Sequence, residues 1–276
     1  MPELPEVDAA ARMLRTVALG KTIASVERLH RVHRRLLPPS KVRRLVGAQV
    51  VSIERRGKHQ LIHLGDGSTL HVHFRMTGDW EVGRVQEPLP PYSRVVIVFT
   101  DGTRAVLTDP RALSTLTLHA PGVDPLPDLG PDAIDPAFTP QYLKRTLSAR
   151  RIPIKPALLD QRVVAGIGNI YATEALWLAR IDPRRPASSL DTTELARLVK
   201  AIRRVLAKGE PWSVYDREGQ RCRRGDGTVV RITQAGRSTY WCPDCQGSAS
   251  ASPSSAGRTR GARSGASARR LRTSPR

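Results

Sequence analysis

A chain of 276 residues with 39% hydrophobic side chains can fill one large domain or two. A formal net charge of +20 and a sequence pI near 11.2 exceed what solubility needs and point to a polyanionic partner, nucleic acid before membrane. No apolar run is long enough to span a bilayer, the N-terminus lacks a signal segment, and three cysteines exclude a disulfide framework, so a soluble, cytoplasmic and nucleoid-associated monomer is expected.

The first predicted element begins at Met1-Pro2-Glu3-Leu4-Pro5-Glu6. Val7, Ala10, Leu14, Val17 and Ala18 recur at helical spacing, so Glu3 and Glu6 sit on the first turn of an amphipathic helix. Proline entry and first-turn acids are common features of helix starts. A second reading is chemical. If Met1 is removed, Pro2 becomes a terminal secondary amine titrating near pH ~8, nucleophilic enough to attack an aldehyde carbon and form a Schiff base. Glu3 and Glu6 then stand ready to move protons.

Short strands follow: Thr22–Arg28 as an edge strand, a basic stretch from Arg31 to Arg44, then Gln49–Glu54, His59–Leu64 and Thr69–Phe74. A hairpin of Arg94–Phe99 and Arg104–Leu107 closes at Asp101-Gly102. Tight glycine turns between short strands predict a sandwich or barrel. Residues 121–140, rich in Pro and Asp, read as a linker. Helices are expected over Gln141–Leu147, Pro156–Asp160, Ile170–Leu178 and Thr192–Lys208. A cysteine-bearing hairpin ends near Gln246. From Gly247 a Ser/Ala/Gly/Arg tail with seven arginines from Arg258 to Arg276 and no acids is expected to be disordered and to attract DNA weakly.

Three further stretches carry chemistry. Arg55-Arg56-Gly57-Lys58-His59 is a basic turn: either solvated charge or a lysine reaching a sugar or phosphate. Leu158 to Glu174 ends one helix, turns at Gly166 and Gly168, and starts another helix with Asn169 as its cap, leaving amides free for a phosphate oxygen. Gln234 to Gln246 reads as a two-stranded ribbon with Arg237 at its tip and Cys222 upstream. His71 and His73 alternate on one strand and read as ordinary strand residues, and Trp80, Trp177 and Trp212 as packing residues. Trp241 braces the ribbon.

Pro2–Val7, Arg56–Lys58, Arg75-Met76-Thr77-Gly78, Asp109-Pro110-Arg111, Ile154-Lys155-Pro156, Gly166–Tyr171 and Ala235–Cys245 occur together and in order. In these stretches the sequence resembles the formamidopyrimidine-DNA glycosylase family of base-excision repair enzymes, over residues 2–246. The resemblance implies an α+β, multi-domain fold. An N-terminal catalytic β-sandwich with a leading helix would occupy 1–122, a helix–two-turn–helix DNA-binding domain 130–208, and a zinc-ribbon-like hairpin 209–246. It further implies that Pro2 is the nucleophile at the sugar C1′ of an oxidised nucleotide, Glu3 the acid/base that opens the sugar, and Lys58 the basic partner. Lys155, Asn169 and Arg237 resemble the family's phosphate clamp, with Met76 the wedge and Arg111 a further DNA contact. The target atom is inaccessible in the base stack, so the nucleotide must be extruded from double-stranded DNA.

The chain departs from the family at three places. Gly225 takes the place of a ribbon cysteine, so Cys222, Cys242 and Cys245 offer zinc three thiolates where a structural site wants four ligands. Either Asp226 or a water completes the site, or the hairpin folds without metal. Asp109-Pro110-Arg111 continues as Ala112-Leu113, without the arginine that would read the orphaned base or an intercalating aromatic. Lys208 to Val214 is short where relatives specific for oxidised guanine carry a base-covering loop, which suggests activity on ring-opened purines or oxidised pyrimidines. The implied function is a DNA glycosylase with abasic-site lyase activity that cleaves by β- and δ-elimination. A non-catalytic damaged-DNA-binding relic and a zinc-ribbon RNA-binding protein are the competing readings, and neither has need of a terminal proline amine.

Overall fold

The computed structural model describes residues 1–225 and 227–247, so Asp226 and the expected disordered tail beyond Gly247 lie outside the described residues. Helix α1 (Leu4–Ala18) opens the chain, with Glu3 at its N-cap position and Pro5 in its first turn, where the missing proline N–H costs nothing. Its face of Val7, Ala10, Ala11, Leu14 and Ala18 is buried, and it packs on strands of both sheets that follow.

Two four-stranded antiparallel sheets form the N-terminal sandwich. One runs β1 (Ile23–Arg28), β6 (Ser93–Phe99), β7 (Thr103–Thr108), β5 (Asp79–Arg84), so β1 is an edge strand. The other runs β2 (Val50–Arg56), β3 (His59–Leu64), β4 (Thr69–His73), β8 (Thr115–His119). Alternate residues from both sheets, among them Ile53, Ile62, Val72, Trp80, Ile97 and Leu107, fill one core. Trp80 packs there as expected, its indole N–H donating to Gln60 Oε1 at 2.8 Å.

The basic stretch after β1 folds as two short helices, α2 (Arg31–Leu36) and α3 (Pro39–Leu45), which bury His33 and Leu45 beneath an arginine-rich exterior. Strands β5 and β8 were not anticipated. Strand β5 buries Trp80 among exposed charges, and β8 completes its sheet by pairing with β4, far upstream in the chain.

Residues 120–139 form no helix or strand beyond a bridge of Asp132 to Ala165. Helices α4 (Pro140–Leu147), α5 (Ile154–Leu159), α6 (Asn169–Ala179) and α7 (Thr192–Lys208) then build a second core, which also takes in Leu4. Helix α6 is buried almost all round, as a central helix should be. The hairpin β9 (Val230–Gln234) and β10 (Arg237–Trp241) and the turn of helix α8 (Pro243–Gln246) close the described chain. Trp177, Val214, Cys222, Val229 and Cys242 form a small third core beneath the hairpin. Trp241 is buried under the Arg184 guanidinium, 4.3 Å from its ring centre.

Arg55 makes one of the joints between the sandwich and the helical part. Arg55 donates to Asp8 and Asp132, whose carboxylate also accepts the Gly57 N–H at 2.9 Å, and both side chains of the Arg55–Asp132 pair are 8% exposed. Removing one partner from such a pair strands the other charge in low dielectric. Asp132→Ala is therefore expected to lower unfolding free energy by about 3 kcal/mol, while Asp132→Asn loses less. Equilibrium denaturation of both variants measures the difference.

Candidate active site

The site is built where the N-terminus meets the turn before α6. Leu4 N–H donates to Gly166 O at 3.0 Å, which fixes the first residues against that turn. The Glu3 carboxylate then accepts the backbone N–H groups of Gly168 and, at 2.9 Å, Ile170. The N-cap of α6 is thus Gly168 rather than Asn169, and the two amides expected to be free for a phosphate are held by Glu3. Glycine is required here by space. A Cβ on Gly168 would come 2.5 Å from Glu3 Cδ and 2.8 Å from Lys58 Nζ, and one on Gly166 would come 2.6 Å from Leu4 Cδ1. The same contacts locate Glu3 and the buried Lys58 side by side over Gly168.

Glu6 continues the network. Its Oε2 accepts the Glu3 N–H at 2.8 Å and its Oε1 accepts the Tyr171 hydroxyl at 2.7 Å. Burial is the largest influence on Glu3 and raises its pKa, against the opposing pull of Lys58 and the two amides. Burial also lowers Lys58 to about 8, with Glu3 opposing and Arg237 adding to the drop. A carboxyl more willing to hold a proton and an ammonium more willing to release one share a single pocket. Met1 and half-buried Pro2 sit at its mouth, where Met1 lines three adjoining cavities.

Lys155, expected in the phosphate clamp, sits behind Asn169 and under the hairpin. It is fully buried, and its ammonium donates to Asn169 Oδ1 at 2.7 Å, Ser238 O at 2.8 Å and Thr239 Oγ1 at 2.7 Å. All three donors are spent, so Lys155 ties α5, the start of α6 and the hairpin together. Asn169 Nδ2 also donates to Ser238 O, leaving one amide hydrogen toward the cleft. Arg237 is exposed at the start of β10, beside the Ala235-Gly236 turn, and lines the cleft opposite Met76.

Met76 is 39% and Leu113 44% exposed, and both line one cavity with Arg75, Lys58 and Arg237. Leu113 is held by Asp109, whose carboxylate accepts the N–H groups of Arg111, Leu113 and Ser114 and the Thr77 hydroxyl. Arg111 is exposed on the same loop.

Sequence reasoning missed the histidine row on β3, β4 and β8. His59 and His71 stack with ring centres 5.0 Å apart and share a 2.8 Å hydrogen bond, with His73 and His119 alongside. Burial first, then neighbouring histidines and Arg75, pushes His59 and His71 to about 4 and His73 to about 3, so these rings are neutral at pH 7. Cross-strand register was the signal: His59 faces His73, and Leu61 faces His71. Trp177 packs as expected, under the Arg224 guanidinium. Trp212 packs on the second core and also lines the pocket of Pro2 and Glu3.

Away from the cleft, the sulfur atoms of Cys222, Cys242 and Cys245 lie within 4.8 Å of one another, with Cys222 and Cys245 at 3.7 Å. Thiolates on a tetrahedral zinc at about 2.3 Å stand roughly 3.8 Å apart, so the three sulfurs suit such an ion. Among the described residues no fourth protein ligand joins them.

Two family models match the chain: the formamidopyrimidine-DNA glycosylase N-terminal domain over residues 1–116 and the formamidopyrimidine-DNA glycosylase H2TH domain over residues 129–211. The formamidopyrimidine-DNA glycosylase of Paracoccus denitrificans is 39% identical over 280 residues, covering 89% of this chain and all of the relative. The Lactococcus lactis enzyme bound non-covalently to DNA containing an abasic site superposes with a TM-score of 0.81 at 30% identity, covering 89% of this chain and 100% of that one. A complex of the same enzyme with DNA containing an oxidised pyrimidine gives 0.82 at 29% identity, covering 90% and 100%. No described helix is long and apolar enough to cross a membrane.

Proposed function

The chain belongs to the formamidopyrimidine-DNA glycosylase family, and from that premise we propose that it is a base-excision repair enzyme which removes oxidised bases from double-stranded DNA and cleaves the strand at the abasic site. The observation that carries this reading is the seating of Glu3 and Lys58 beside Pro2 at the mouth of a cleft lined by cations.

Once Met1 is removed, the Pro2 nitrogen bonds to C1′ of an extruded nucleotide as the C1′–N glycosidic bond breaks and the base leaves with a proton. Glu3 protonates O4′, the C1′–O4′ bond opens, and an iminium remains between Pro2 and C1′. That cation acidifies the C2′ hydrogen. Loss of the hydrogen to a base expels the 3′ phosphate, and a second elimination expels the 5′ phosphate. Burial raises the Glu3 pKa and so favours its acid form, the form that donates to O4′. Asn169 and Arg237 hold the backbone phosphates, with Lys155 fixing Asn169 from behind, and Arg111 lies along the duplex. Such contacts position the strand without reading sequence. Met76 and Leu113 fill the gap left by the extruded nucleotide.

Borohydride reduction with abasic-site DNA should trap the chain covalently through Pro2. Pro2→Gly should lower the yield sharply, and Glu3→Gln should bind the same duplex but excise damaged bases at least about a hundredfold more slowly. A processed, Met1-free protein that binds every duplex and yields no adduct would show a damage-binding relic instead.

Lys58 contributes as a cation, and with its pKa lowered to about 8 it loses its proton well below the ordinary lysine range. The value of kcat/KM, which reports the free enzyme, should therefore fall as pH rises through about 8. Lys58→Arg should move that alkaline limb upward. An unchanged limb in that variant would remove Lys58 from the chemistry.

Cys222, Cys242 and Cys245 would hold a zinc ion, which when bound cross-links the hairpin that carries Arg237 and supplies no reacting group. Elemental analysis of the purified protein is expected to find about one zinc per chain, and Cys245→Ser to lose most of it. A metal-free parent with an ordered hairpin would show that this ribbon folds on its own core.

A further inference from the structure

The segment after α7 is short and fixed at both ends. Gly209 caps the helix through its N–H to Val205 O at 3.1 Å. Four residues on, the buried Glu174 carboxylate accepts three successive backbone N–H groups, of Ser213, Val214 and Tyr215, each at 2.8 Å. A carboxylate taking three amides is a strong anchor in a dry site. Between the clamps stands Trp212, half-buried, with its ring edge-to-face on Tyr171 at 5.2 Å and 81°. Tyr171 in turn donates its hydroxyl to Glu6, and Glu6 accepts the Glu3 N–H. The tryptophan is therefore mechanically continuous with the carboxylates beside Pro2. Trp212, Tyr171, Glu6, Glu3, Pro2 and Met76 border one cavity of about 370 Å³.

A cavity of that size, walled by an indole and open toward the nucleophile, suits a planar heterocycle. We propose that Trp212 is the surface on which the extruded base stacks, so that this chain holds the base against a rigid aromatic wall. The inference rests on the proposed glycosylase reading and goes beyond it by assigning base recognition to a residue outside the chemistry. Trp212 touches the base and no reacting bond, which makes it a specificity-determining residue. Stacking asks only for a π-face, so a wall of this kind accepts ring-opened purines and oxidised pyrimidines with similar rates.

The test separates the base-dependent step from the step that has no base. Single-turnover excision is measured on duplexes carrying a ring-opened purine or an oxidised pyrimidine, and strand cleavage on a duplex with a preformed abasic site. Trp212→Leu keeps apolar bulk and removes the indole; it should lower the ratio of excision to abasic cleavage by about tenfold or more. Trp212→Phe should recover most of that ratio. An equal fall in both rates, or an unchanged ratio, overturns the proposal, because the side chain would then act only through packing. A parent that forms no borohydride adduct on abasic DNA overturns the glycosylase reading itself, whatever the variants do.

Fluorescence of the parent supplies a measurement that survives a poorly folded variant. Trp80, Trp177 and Trp241 are buried at 1%, 7% and 4% exposure and Trp212 alone of the four lines the cavity beside Pro2, so quenching by direct contact with a base belongs to Trp212. Quenching should be larger with a damaged duplex than with an abasic one. Equal quenching by the two duplexes would sink the stacking assignment.

Discussion

The Glu3 carboxylate seated on the first amides of α6 is the contact on which the rest of the site depends. It joins the third residue of the chain to residues 168 and 170, and so brings the sandwich and the helical part into one cleft. Two effects compete in it. Hydrogen bonds from two amides and the charge of Lys58 favour the carboxylate, each charged hydrogen bond contributing about 1.5–3 kcal/mol. Removal from water favours the neutral acid, and burial wins, since the pKa is raised. The same geometry explains the glycines: Gly166 and Gly168 are empty of side chains because Leu4, Glu3 and Lys58 occupy that space.

Around this contact the structure repeats one device, a buried polar head group fully engaged by fixed partners. Arg55 binds Asp8 and Asp132, Lys155 binds Asn169, Ser238 and Thr239, and Glu174 binds three amides. Each joins segments far apart in sequence, and each would be costly if a partner were lost. Hydrophobic burial supplies the stability of the separate cores, while these polar joints set how the cores meet. The distinction matters for function, because catalytic groups from different segments must be held within a fraction of an ångström of their working positions.

Much of this was legible in the sequence, for identifiable reasons. Helix α7 shows a strong apolar stripe between an Asp191 capping box and Gly209, and both bounds follow from that pattern. Strand β3 and the β6–β7 hairpin follow from alternation and from Asp101-Gly102. Helices α2 and α3 did not, because each buries a single residue, His33 and Leu45, among many arginines. Strand β5 hides for the same reason: Trp80 alone is buried in Asp79–Arg84. The site shows the same divide. Pro2, Glu3, Lys58 and Arg237 were visible as chemistry-bearing residues, whereas the burial of Lys155 and the histidine row depend on pairings that no local window contains.

The departures from the family pattern take on physical meaning in this frame. Ala112 adopts a left-handed backbone, φ 52°, in a loop already held by four hydrogen bonds to Asp109. The loop thus keeps its shape without a side chain at position 112 to enforce it. What changes is the chemistry it presents: Leu113 beside Met76 offers apolar surface and no hydrogen-bond donor. Apolar side chains can hold a kinked duplex open, but they distinguish the partner bases far less well than a donor fork matched to base-edge acceptors. On the other side of Met76, Trp212, Tyr171 and Glu6 form a connected wall whose shape is fixed by ring packing and one hydrogen bond.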